Sequence, residues 1–234
     1  MIKLPEDKPQ HPKPQPKNFF VYGKPMTGKS YFSSFFPHPL SLNTDGNSEQ
    51  GFAPSIQIRN IRDANGNLTQ SAIKQLDDVV VALQSTDNTF ETVIVDVIDD
   101  ICVMIEQAIC IDANVQALSD IPYGKGYAMF NTALQQFVMD LKALPVNVIY
   151  ISRELDVTDE NTGRTHEEPS LKSKYYNIVN GNCDLVIHCQ KLGKDTYFRT
   201  VTDKRSNYKP ENIQDKKVLK LLESCRGMFP EKKE

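Results

Sequence analysis

The chain has 234 residues, a formal net charge of −3, 24% charged and 39% hydrophobic residues, so one α/β domain with elaborations is the natural size class. That charge excludes a global attraction for nucleic acid, and any such contact has to come from local basic loops. The five cysteines form no C-x-x-C pair, and no signal-peptide core or membrane-length apolar run occurs, which points to a reducing cytoplasm and away from membranes. Cys183, His188 and Cys189 match no zinc spacing.

Residues 1–17 hold five prolines among Lys and Gln, which prevents helix and favours a flexible, extended arm. That arm is either a solvated leader or a segment that docks on a neighbouring subunit. The apolar run Phe19-Phe20-Val21-Tyr22 predicts a strand, and it is followed directly by Gly-Lys-Pro-Met-Thr-Gly-Lys-Ser at residues 23–30. This is an intact G-x-x-x-x-G-K-[ST] phosphate loop, so a nucleoside triphosphate is the first ligand to expect. Gly23 and Gly28 shape the turn, while Lys24, Pro25, Met26 and Thr27 offer backbone N–H groups or loop geometry around the phosphates. Lys29 supplies a point charge to the β/γ oxygens, and the Ser30 hydroxyl is a ligand for Mg²⁺. Tyr31 opens a short aromatic-faced helix that Pro37 stops.

Residues 39–43 read as a second strand ending in the polar group Thr44-Asp45-Gly46-Asn47. Residues 55–61 alternate like a half-exposed strand, and Ile73, Leu76, Val79, Val80 and Leu83 recur at helical spacing. Residues 90–97 form a buried-type strand with an acid near its end, and helical material runs over 101–118. A turn-rich stretch at 119–127 precedes an amphipathic helix marked by Phe130, Leu134, Phe137, Leu141 and Leu144, which Pro145 ends before the strand 146–151. Residues 153–176 are a polar loop or hairpin, residues 183–188 and 196–201 suggest a terminal hairpin, and residues 210–234 need only a short helix and a loose tail. Strands and helices alternating this often imply a mostly parallel sheet covered on both faces.

The second half of a phosphate site is an acid that holds the magnesium, and Thr92-Val93-Ile94-Val95-Asp96 has the required form. Asp99 and Asp100 read instead as acids that cap the following helix. Val97 follows Asp96, so no Glu stands there as the hydrolytic base, and Asp45 at the end of the second strand is either that base or a turn residue before Gly46.

These motifs, VYGKPMTGKS, LNTDG, TVIVDVIDDIC, YGKGYAMFNTALQQFVMDLKALPVNVIYISRE and NCDLVIHC before TVTDKR, resemble the RecA-core ATPases. They resemble more closely the phage nucleotide-binding proteins of the Sak-type single-strand annealing group. The resemblance spans residues 18–209, and it implies a RecA-like P-loop NTPase with a mostly parallel sheet, helices on both faces and a C-terminal antiparallel hairpin. It implies ATP and Mg²⁺ as cofactors, binding of single-stranded DNA, a single-strand DNA-binding protein as partner, and a homo-oligomeric ring or filament. A cation from a neighbouring subunit would meet the γ-phosphate, and Lys204 and Arg205 are the matching residues. Two DNA-contacting loops map onto residues 121–127, with Tyr123, Lys125 and Tyr127, and onto residues 153–176, with Arg164, Lys172, Lys174, Tyr175 and Tyr176. The chain departs from the pattern in placing Ser152-Arg153 where relatives sense the γ-phosphate, and in offering Asp45 in place of a longer Glu. A nucleotide-gated adaptor with little hydrolysis and a small-molecule phosphotransferase are the competing classes.

Overall fold

The structure is a computed structural model and describes residues 6–9, 11–46, 51–85, 87–160 and 162–230. Its centre is a seven-stranded sheet of β1 (Asn18–Tyr22), β2 (Pro39–Asn43), β3 (Ser55–Gln57), β6 (Thr92–Asp96), β7 (Asn147–Ser152), β10 (Leu185–Leu192) and β11 (Thr196–Lys204). The strand order is β11-β10-β1-β7-β6-β2-β3. Every pairing is parallel except β10 with β11, the C-terminal hairpin. Two small antiparallel ribbons stand outside it, β4 (Ile61–Arg62) with β5 (Leu68–Gln70) and β8 (Glu154–Thr158) with β9 (Thr165–Pro169).

Strand alternation divides the core in two. Phe20, Val93, Val95, Val148, Tyr150 and Val186 face one layer, where α2 (Ala72–Gln84), α3 (Ile98–Asp112), α4 (Lys125–Ala143) and α5 (Ser173–Asn180) cover them. Phe19, Val21, Ile94, Ile149, Ile151 and Ile187 face the other layer, under α1 (Lys29–Ser33) and α6 (Lys216–Glu223). Each fully buried aliphatic or aromatic side chain contributes about 1.5–3 kcal/mol, so continuous apolar strands such as β1 and β7 are stable only when both faces are covered. The fold class is the expected one: mixed α/β, a mostly parallel sheet, helices on both faces and a terminal antiparallel hairpin.

Local chemistry sets the helix starts. The Ser71 hydroxyl accepts from Lys74 N ahead of α2, and the Asp215 carboxylate accepts from Lys217 N and Val218 N ahead of α6. The periodic residues of α2 and α4 lie where the sequence puts them, with Leu76, Leu134, Phe137 and Leu141 buried.

Several expectations change. α1 ends at Ser33 rather than running to Pro37, because Phe36 turns inward against Phe19 and Phe32, with ring centroids 5.1 and 5.7 Å apart. The strand expected over 55–61 breaks after Gln57, where Ile58 is fully buried, and resumes as β4. α3 starts three residues before the expected 101, and residues 173–180 of the polar excursion form a helix that its composition hides. The C-terminal tail is not loose up to Met228: Cys225 and Met228 are core residues, and Arg226 exchanges backbone hydrogen bonds with Arg199 and Val201 of β11. The end of the N-terminal arm is also held, since Lys17 N and Asn18 N donate to Asp184 and Gln214 N donates to Gln15 Oε1. Residues 1–5, 10, 47–50, 86, 161 and 231–234 lie outside the described residues, Asn47 of the expected polar group among them.

Candidate nucleotide-binding site

Parallel register brings the C-terminal ends of five strands to one edge: Tyr22 pairs with both Ser152 and His188, Asp96 with Ile151, and Asn43 with Asp96. Ligands bind at such edges in open α/β sheets. The phosphate loop leaves β1 there. A Cβ on Gly23 would sit 2.1 Å from the Cys189 carbonyl oxygen of β10, so only glycine fits. Gly28 has φ of 80°, a left-handed turn that caps α1, and Tyr197 from β11 packs against it. We predict that Gly23→Ala displaces the loop from β10 and costs about 1–3 kcal/mol of stability together with nucleotide affinity, read by thermal melting and nucleotide titration.

Lys29 is 8% exposed, and its ammonium donates to Gly23 O at 2.7 Å and Lys24 O at 2.8 Å. Burial pushes its pKa down, so the charge is held where an anion is its natural complement. Thr27 braces the loop by donating to Lys24 O at 2.8 Å, while Pro25 and Met26 are exposed at its tip. Lys24 turns away from the loop interior and pairs with Asp156 of β8 at 2.9 Å. Tyr31 is exposed, packs edge-on against Phe35 and lines the adjoining cavity.

Ser30 and Asp96 come from elements 66 residues apart, with β7 lying between β1 and β6, yet Ser30 Oγ donates to Asp96 Oδ2 at 2.5 Å. Burial raises the Asp96 pKa, the Ser30 hydrogen bond opposes this, and the neighbouring Asp45 charge adds to the rise. A hydroxyl and a desolvated carboxylate converging beside a buried ammonium fit a hard cation bound together with phosphate oxygens. A cavity of about 270 Å³ opens here, lined by Ser30, Tyr31, Asn43, Asp45, Phe52 and Asp96 among others. The structure thus brings Lys29, Ser30, Asp96 and Asp45 together.

Asp99 and Asp100 lie in the first turn of α3, where acids complement the helix dipole, but neither caps the helix. The N-cap of α3 is Val97, with no side-chain cap bond. Asp99 instead accepts from the Ser152 and Ser170 hydroxyls and from Arg153 N, and Asp100 accepts from Thr44 Oγ1 at 3.0 Å. Asp100 also forms a two-pronged pair with Arg153 at 2.6 and 2.8 Å, which holds its carboxyl below the usual range. Arg153 stands with Ser152 at the strand end where the resemblance places γ-phosphate sensing, but the sequence assigned it no partner. The structure places its guanidinium where its charge acts on both Lys29 and Asp96. Its partner Asp100 lies 53 positions away, so spacing carries no signal of the pair.

Lys204 and Arg205 lie elsewhere. Lys204 pairs in register with Leu185, at the start of β10 and so at the sheet edge opposite the phosphate loop. Its ammonium donates to Gly227 O and Met228 O, and Arg205 donates to Cys183 O and Gly181 O.

Of the residues expected at DNA loops, Tyr123 is 96% exposed with φ of 60°, and Lys125 and Tyr127 are exposed in the first turn of α4. Arg164 is exposed beside the β8–β9 turn, and Lys172 and Lys174 are exposed at the start of α5. Tyr175 and Tyr176 are not available for stacking on bases: Tyr175 packs on Phe130 at 4.4 Å, and Tyr176 packs on Phe20 at 5.2 Å. Three acids of this excursion are engaged too, Asp156 with Lys24, Glu167 with Gln190 and Glu168 with His166.

A family model described as an AAA domain matches residues 15–218. The chain belongs to the AAA domain family. That match covers β1 through the first three residues of α6, so the phosphate loop and the acid strand both lie inside the family region. Curated protein sequences give no match. Among solved structures, the RadB recombinase aligns with 81% of this chain and 82% of its own at 15% identity, with a TM-score of 0.46. Among the described residues of this AAA domain protein, no helix is long and apolar enough to cross a membrane.

Proposed function

We propose that this AAA domain protein binds and hydrolyses Mg-ATP and uses the nucleotide state to tune its grip on single-stranded DNA in strand annealing or exchange. The observation that carries the nucleotide half is the meeting of Ser30 and Asp96 at 2.5 Å beside the buried Lys29. Lys29 neutralises charge on the terminal phosphates, and Gly23 and Gly28 let backbone N–H groups face them. Ser30 and Asp96 would hold the magnesium, which supplies further neutralisation of the phosphate oxygens when bound. Asp45, on the cavity wall, orients and deprotonates the attacking water.

The DNA half rests on the motif resemblance to RecA-core proteins of the Sak-type group and on Tyr123, Lys125 and Tyr127. A nearly fully exposed tyrosine on a strained turn, a lysine and a second exposed tyrosine combine base stacking with phosphate neutralisation. Arg164, Lys172 and Lys174 extend the basic surface. The same reading gives a cytoplasmic homo-oligomer that works with a single-strand DNA-binding protein, with Lys204 and Arg205 as the cations offered to a neighbour. Replacing Lys125 and Tyr127 together by Ala is predicted to weaken single-stranded DNA binding about 5- to 150-fold, to flatten its salt dependence and to spare ATP binding. DNA affinity measured at two salt concentrations checks this, and unchanged affinity removes the α4 turn from the DNA surface.

One set of observations favours a second reading, a nucleotide-gated adaptor with slow turnover. The candidate base is a short Asp rather than a Glu, and Lys204 and Arg205 are bound to carbonyls of their own chain. DNA-independent, very slow hydrolysis with tight ATP binding would select it.

A further inference from the structure

Glu154, Glu167 and His188 converge beside the phosphate loop, with one ligand atom from each lying within 4.8 Å of the others. They come from β8, β9 and β10, so no sequence spacing announces them. His188 Nε2 is 2.6 Å from Glu154 Oε2 and 3.9 Å from Glu167 Oε2. The side chains of His188 and Glu154 are 8% and 2% exposed, and Glu167 at 40% forms the open side. Tyr22 stacks flat on the imidazole, 4.4 Å between centroids and 2° between planes, which fixes the ring. Gln190 donates to Glu167 Oε2 at 3.1 Å, and Lys24 lies 3.7 Å from the other Glu154 oxygen, Oε1.

We propose that these three side chains form a binding site for one first-row transition ion of the zinc type, distinct from the magnesium position at Ser30 and Asp96. One imidazole nitrogen and two carboxylates are a donor set that suits zinc, whereas magnesium and calcium prefer oxygen alone. Metal–ligand bonds of about 2.0–2.2 Å place tetrahedral donors about 3.3 Å apart. The observed separations bracket that value: Glu167, the exposed and therefore movable ligand, closes its longer distance, while His188 and Glu154 exchange their mutual hydrogen bond for the ion and open slightly. Two of the three ligands are already held by burial, one by ring stacking as well, and the third by a hydrogen bond from Gln190, the kind of outer support that orients metal ligands. Three protein donors leave a fourth position for water. Bound there, the ion ties the β8–β9 ribbon to β10 next to Lys24, the second residue of the phosphate loop.

The test uses the full chain, stripped with a chelator and free of nucleotide, titrated with Co²⁺ and followed by visible absorption, then with Zn²⁺ in competition. One equivalent of Co²⁺ is expected, displaced by Zn²⁺, with Glu167→Gln and His188→Gln each weakening binding at least ~10-fold and Asp96→Asn leaving it unchanged. Because Glu167 is exposed, Glu167→Gln keeps the test sound if the His188 variant fails to fold. No stoichiometric ion, binding that Glu167→Gln leaves intact, or binding lost in Asp96→Asn would each overturn the proposal. The first of these results leaves Glu154 and His188 as a buried hydrogen-bonded pair.

Discussion

Lys29→Met should leave a folded protein that no longer binds ATP. The ammonium is the one buried cation inside the phosphate loop among the described residues, and each charge-assisted hydrogen bond it makes to phosphate is worth about 1.5–3 kcal/mol. Losing two such bonds raises the ATP Kd by roughly two to four orders of magnitude. The fold should not suffer, because burial already pushes the Lys29 pKa down and the charged form is therefore costly without an anion. Melting provides the readout. At ATP one hundredfold above its Kd the native chain gains about 2.7 kcal/mol, a rise of roughly 5–10 °C for a domain of this size, and Lys29→Met should show none of it. Tight ATP binding by the variant would refute the site.

Asp96→Asn should lower Mg-dependent hydrolysis about 10²–10³-fold and at the same time raise the melting temperature of the nucleotide-free protein at neutral pH. The sign follows from the direction of the pKa shift. Burial raises Asp96 above its ordinary 3.8, so between that value and its folded pKa the folded chain binds more protons than the unfolded chain. Stability from this group is then present at low pH, declines as pH rises through the window, and stays lost above it. Asn carries no such charge and retains oxygen and nitrogen partners for Ser30. A pH series of melting curves should therefore converge for the two proteins at acid pH and separate towards neutrality, with the variant higher. A variant that melts lower at neutral pH would show that the Ser30 contact outweighs the desolvation.

Much of this was legible in the sequence because it is local. The phosphate loop is contiguous, β2 needed only residues 39–43, and the stripes of α2 and α4 repeat at helical spacing. The sheet class followed from alternation, since apolar runs such as residues 148–151 have to be covered on both faces. What escaped was non-local. Asp99 and Asp100 have the composition of helix-capping acids, and only the fold shows them gripped by Ser152, Arg153, Ser170 and Thr44. Tyr175 and Tyr176 stand in a polar stretch, yet helix α5 turns both towards Phe130 and Phe20. Glu154, Glu167 and His188 meet only because β8 and β9 fold back onto β10.

Steady-state ATP turnover with and without single-stranded DNA is the decisive measurement for a DNA-tuned ATPase. Hydrolysis should be slow, Mg-dependent and accelerated by DNA, with the stimulation fading as salt rises and disappearing in the Lys125 and Tyr127 double variant. Turnover that single-stranded DNA leaves unchanged, with no salt-sensitive DNA binding at any nucleotide state, would contradict the DNA-tuned reading.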